Sequence, residues 1–196
     1  RRGQTHAFDF IKRSRIMQQS REYGSAAKLF HWATVALLAT QFTLGWLMPD
    51  IKPGMQPERL MNLHLSFGLL VLALMTARCG WRLAHGAPPP EASLPDWQRL
   101  AAGLVHLALY LLVFAMTASG WLFASMRGWE ITLFGAVPVP HLVAQGSALG
   151  RTVGEWHAPL SWVLLGVIGL HVAAALAHFF VLRDRVLQRM LPRLGG

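Results

Sequence analysis

Four long stretches that almost exclude charge decide what this chain can fold into. They run over about 27–48, 60–83, 100–125 and 153–182, and each is long enough to cross a hydrocarbon core, which takes roughly 20 helical residues. Each ends on strong punctuation: Pro49-Asp50, then Gly86-Ala87-Pro88-Pro89-Pro90, then Arg127-Gly128, and finally Arg183-Asp184-Arg185. The expected fold is all-α, an integral membrane four-helix bundle. Composition agrees, because 54% of the residues are hydrophobic and only 14% charged, where soluble domains carry about a quarter charged. A single cysteine, Cys79, rules out a disulfide framework or a cysteine metal site.

The net charge of +9 would suit nucleic acid or an anionic membrane, and the position of the charges decides between them. Of the 18 Lys and Arg, all but Lys52, Arg59, Arg127 and Arg151 fall on one side of a four-span topology. That side holds the N-terminal arm, the second connection (Arg78, Arg82, Arg99) and the C-terminal tail. The positive-inside rule then places both termini in the cytoplasm. The partner implied is membrane lipid, and no nucleic-acid partner is expected. Residues 1–17 are expected to be a disordered N-terminal extension, ahead of one transmembrane unit over 18–193. The first span is too long for a cleavable signal peptide and lacks a small-residue cleavage site.

The third connection, about 126–152, is long for such a bundle, and a loop of that length is usually functional or packs as a cap. Trp46, Trp97, Trp121, Trp129 and Trp156 lie at span ends, where an interfacial aromatic belt is expected. Gly68, Gly120, Gly166 and Gly169 suit either close helix approach or room for a bulky group.

Histidine is the telling residue type. Six of the nine (His31, His64, His106, His157, His171 and His178) lie in or at the edge of an apolar span, where an ionisable side chain is costly and points to function. One such histidine is readily a helix-end residue bonded to a carbonyl; six in four spans are not so easily explained. In the fourth span the offsets of 14 and 7 residues bring His157, His171 and His178 to one face. His157 and His171 differ in depth by roughly 21 Å, which calls for two stacked cofactors. His64 lies level with His157, and His31 level with His171. Two axial imidazoles from facing helices make a b-type haem site, so the expected iron ligands are His64 with His157 and His31 with His171. Depth alone leaves His106 open as an inner ligand. Zinc is the weaker reading, since no cysteine or carboxylate joins the histidines at that depth.

Arg78, 14 residues after His64, and Arg82 one turn on are placed to meet haem propionates at the inner edge. Arginines at those depths also snorkel to lipid headgroups.

Leu29-Phe30-His31-Trp32, Asn62-Leu63-His64, Trp156-His157 and the run from Gly169 to His178 resemble the bacterial cytochrome b561 family, and within it the superoxide-oxidising branch. The likeness covers about 18–193. It implies a four-helix bundle of the bacterial inner membrane with two haem b groups on His31, His64, His157 and His171. It also implies oxidation of superoxide at the outer haem and reduction of ubiquinone near the inner one, with His106 and His178 at a quinone pocket. Lys52, Arg59, Arg127 and Arg151 would then steer anionic superoxide to the outer face. The rival expectation is a haem-bearing subunit that passes electrons between a partner dehydrogenase or hydrogenase and the quinone pool. A bundle without cofactor is the third.

Overall fold

The structure, a computed structural model, describes residues 22–91 and 94–192. The expected extension over 1–17 lies outside the described residues, as do Arg21 and Arg193 of the basic count. The elements in order are α1 (Ser25–Leu47), α2 (Arg59–His85), α3 (Asp96–Met126), a hairpin of β1 (Thr132–Leu133) and β2 (Val137–Pro138), α4 (Ala148–Glu155), α5 (His157–Ala177) and a π-helical turn (His178–Leu182). Short connections join α1 to α2 and α2 to α3, and a long one carrying the hairpin and α4 joins α3 to α5.

In an apolar medium each polar backbone group needs a partner inside its own segment, which a helix supplies. Hydroxyls within the helices obey the same constraint: Thr34 donates to the Phe30 carbonyl, Thr43 to Ala39 and Thr76 to Leu72, at 2.7–2.8 Å. Helix α2, helix α3 and the arm 148–182 are long and apolar enough to cross a membrane. Helix α1 is diluted by His31, Gln41 and three threonines, and joins the bundle by packing along α2. Large apolar side chains face outward, Leu83 at 82% and Leu29 at 72% exposure among them; in water such a surface would be an aggregation liability. The protein is thus a helical membrane protein.

The fourth apolar stretch is not one helix, contrary to expectation. It breaks at Trp156, and Pro159 explains why: its nitrogen has no hydrogen to donate to the carbonyl of Glu155, and its ring crowds that carbonyl. Proline is tolerated in the first turn of a new helix, so α5 starts at His157. At the other end Arg183 adopts a left-handed conformation (φ 53°), closing the π-helical turn.

The long third connection packs as a cap. Trp129 and Ile131 join Met61 and Ala124 in a buried cluster. The Trp129 indole donates to the Met55 carbonyl at 2.7 Å. Ser66, fully buried, donates to the Thr132 carbonyl at 3.2 Å and accepts from the Phe134 amide at 2.8 Å. Trp129 is only 3% exposed, so the interfacial reading fails for it, because its ring is needed as cap core. Half-buried Trp121 donates to the Pro140 carbonyl at 3.0 Å. Trp46, Trp97 and Trp156 are open to the outside, at 61–68%.

At the opposite, terminal end the chain after Arg183 folds beneath the bundle. Lys28 donates to the Leu191 carbonyl at 2.9 Å, the Trp32 indole to Met190 at 3.0 Å, and Arg189 to Pro89 at 2.7 Å. Between the two ends, Val71, Met75, Val113 and Leu164 form a closed apolar layer.

Candidate functional site

Helix α5 packs on α3, yet no Cα of α5 comes within 8 Å of α1 or α2. The gap is crossed by imidazoles. At the cap end the rings of His64 (α2) and His157 (α5) have centroids 6.1 Å apart and planes at 85°. At the terminal end His31 (α1) and His171 (α5) stand 6.3 Å apart. A metal ion between two imidazole nitrogens, about 2.0–2.1 Å from each, puts ring centres roughly 6 Å apart. Both pairs have that spacing. His106 on α3 approaches His171 more closely, at 5.3 Å, too near for an ion of that kind between the rings.

The cap-end pair borders a cavity of about 320 Å³, lined by apolar side chains of α1, α2, α3 and α5 together with Gln41, Thr117 and Ser161. Two polar atoms of that lining, His64 Nδ1 and Gln41 Oε1, are buried without a hydrogen-bond partner, unusual in a folded interior. A Cβ at Gly120 would stand 2.9 Å from His157 Cε1, and one at Gly45 would stand 3.7 Å from His64 Cε1. The His157 imidazole therefore lies where only a residue without a side chain lets it lie, whereas the contact at Gly45 is an ordinary one. Orphaned polar atoms, a cradle cut by glycine and paired imidazoles across a helix gap fit a flat, metal-centred macrocycle. Gly166 and Gly169 differ: a Cβ there meets nothing within 4 Å, so neither marks a close helix approach.

At the terminal end Arg78 is half-buried. Its guanidinium lies 3.5 Å from His31 Nδ1 and 3.4 Å from the Thr34 hydroxyl, 5.4 Å over the Tyr110 ring. It thus belongs to the imidazole cluster, whereas Arg82 is exposed. His178, expected with His106 at a quinone pocket, is paired with Asp184, whose other carboxylate oxygen accepts from the Val186 amide at 3.0 Å. At the cap end Lys52, Arg59 and Arg151 are exposed, while Arg127 is tied into the cap. It donates to the Lys52 carbonyl and lies over the rings of Phe123 and Trp129.

Gly45, Gln41, Ser119, Tyr110 and Asp184 were not foreseen from sequence. A signal existed for two of them: Ser119 and Gln41 are polar residues inside apolar spans.

The family model for prokaryotic cytochrome b561 matches residues 22–193. A cytochrome b561 homolog of Escherichia coli K12 is 34% identical over 172 residues, 87% of this chain and 92% of its own length. A protein named as a probable superoxide oxidase of Yersinia pestis is 31% identical over 169 residues, 85% of this chain and 93% of its own. A protein named cytochrome b562 of Cereibacter sphaeroides is 30% identical over 183 residues, 90% of this chain and all of its own. The matched region takes in every helix and both imidazole pairs, and the chain belongs to the prokaryotic cytochrome b561 family of membrane electron-transfer proteins that carry b-type haem.

Proposed function

We propose that the protein is a superoxide:ubiquinone oxidoreductase of the bacterial inner membrane. In this reading one unit over 18–193 crosses the bilayer four times, with both termini in the cytoplasm. The observation that carries it is the pair of imidazole couples at the two ends of α5, bridging to α2 and α1 across gaps the backbones do not close. His64 and His157 would hold one haem b and His31 and His171 the other. The 5.3 Å approach of His106 to His171 supports leaving His106 out of the ligand set. When bound, the two haems supply one-electron carriage between the faces of the membrane. Two superoxide anions give two dioxygen molecules, and one quinone takes up the two electrons and two protons.

The chain's own part is to hold, orient and steer. The excess of Lys and Arg at the terminal end supports placing that end in the cytoplasm. Lys52, Arg59 and Arg151, exposed around the cap, would draw the anionic substrate toward His64 and His157. Arg127 would add charge from within the cap. Arg78, beside His31 and Thr34, would meet a propionate from within the bundle and Arg82 from its edge. His178 and His106 would serve the quinone, with Asp184 orienting His178 for proton supply. The similarity to a probable superoxide oxidase of Yersinia pestis supports the choice of electron donor.

The test is reconstitution of the purified, haem-loaded chain with ubiquinone in vesicles. Superoxide generated outside should reduce the haem within the mixing time and then the quinone. Haem that stays oxidised under superoxide, yet is reduced by a co-purifying dehydrogenase or hydrogenase, would establish the subunit reading instead.

A further inference from the structure

We infer that Ser119 is the positioning residue of the cap-end site: its hydroxyl holds His157 in the tautomer that leaves Nε2 free to bind iron, and so governs how strongly that ligand donates. The inference rests on the assignment of His157 as an axial ligand.

Ser119 is 1% exposed and lies on α3 beside Gly120, the residue that lets the His157 ring approach. Its Oγ has two neighbours, the Met116 carbonyl oxygen at 3.0 Å and His157 Nδ1 at 3.1 Å. A hydroxyl has one proton to give and lone pairs to accept with. The carbonyl can only accept, so the hydroxyl proton goes to Met116. The contact with Nδ1 is then a bond that the imidazole donates and Ser119 accepts. The opposite tautomer would turn the hydroxyl proton to Nδ1 and leave two oxygens facing each other at 3.0 Å with no proton between them. With its proton on Nδ1, His157 carries its lone pair on Nε2.

Among the described residues no such hydroxyl faces Nδ1 of His64 or of His31. His64 Nδ1 is buried without a partner. His31 Nδ1 faces the Arg78 guanidinium, which can only donate. The cap-end couple is therefore asymmetric, with one ligand held by a side-chain hydroxyl. A hydrogen bond donated from the far nitrogen of a ligating imidazole raises its basicity, which favours the oxidised iron and lowers the reduction potential.

The experiment compares Ser119→Ala and Ser119→Cys with the unmodified chain by spectroelectrochemistry, low-temperature EPR of the oxidised protein and the haem-to-protein ratio. Ser119→Ala should raise the potential of one haem, the one lost in His157→Ala, and move its low-spin EPR signal, leaving the other haem unchanged. Ser119→Cys, somewhat larger and a weaker acceptor, should give a smaller shift in the same direction. Loss of that one haem in Ser119→Ala with retention in Ser119→Cys also supports the inference. Unchanged potentials and EPR in Ser119→Ala with both haems retained would overturn it, as would a shift confined to the haem that survives His157→Ala. If His157→Ala itself keeps both haems, the ligand assignment falls. None of these readouts depends on superoxide or quinone, so the proposed activity can fail separately.

Discussion

Replacing Gly120 by alanine puts a methyl group where His157 already stands. The added Cβ would lie 2.9 Å from Cε1, 3.2 Å from Nδ1 and 3.7 Å from Nε2 of that ring. Ordinary carbon contacts are about 3.5–4.0 Å, so the imidazole must retreat by roughly 0.6 Å. Metal–ligand distances tolerate about 0.2 Å, and the ring is also held 3.1 Å from Ser119 Oγ. Overpacking of this kind costs about 1–3 kcal/mol, which corresponds to a loss of affinity of roughly 5- to 150-fold. The purified Gly120→Ala protein should therefore lose haem from the cap-end site while keeping the terminal-end haem. The haem-to-protein ratio after detergent extraction and washing reads this directly, and stepwise reduction shows which component is missing. Gly166→Ala is the control, since its Cβ meets nothing within 4 Å. Full haem content in Gly120→Ala with an unshifted spectrum would refute the claim that His157 is a ligand held at that position.

Alanine at His31, His64, His157 or His171 should each remove one haem, whereas His106→Ala and His178→Ala keep both; haem loss from His106→Ala with retention in His31→Ala would reverse the terminal-end assignment. Ser66→Ala leaves the Phe134 amide without its buried acceptor, which should cost about 1–3 kcal/mol and lower the thermal midpoint in detergent. Neutralising Lys52, Arg59 and Arg151 together should slow the bimolecular reaction with superoxide and flatten its dependence on salt, as stopped-flow rates at several ionic strengths would show. Asp184→Asn should slow quinone reduction by about tenfold or more, leaving reduction by superoxide unchanged; equal slowing of both steps would argue for a structural role.

The helices were legible because length, apolarity and punctuation all act locally. Pro49, Gly86 ahead of its proline run and Arg127-Gly128 each mark an end within two residues of the observed boundary. The break at Trp156 was equally local, for Pro159 alone dictates it, but a continuous apolar stretch hid it. The tryptophans show the limit of that reasoning. Position near a span end does not separate a ring at an interface from one folded under a loop, and Trp129 is the second kind.

By itself, the sequence determined that this is an apolar helical bundle with histidines at two depths, because helical rise and the cost of ionisable groups in hydrocarbon need no knowledge of neighbours. Tertiary structure alone decided how those histidines are divided. The spacing of His106 from His171, as against that of His31, depends on where α1 and α3 stand relative to α5. The space beside His157 depends on Gly120 of α3 facing it, and its tautomer on Ser119 one residue earlier. These are relations between residues far apart in sequence, set by the packing of whole helices, and no local pattern encodes them.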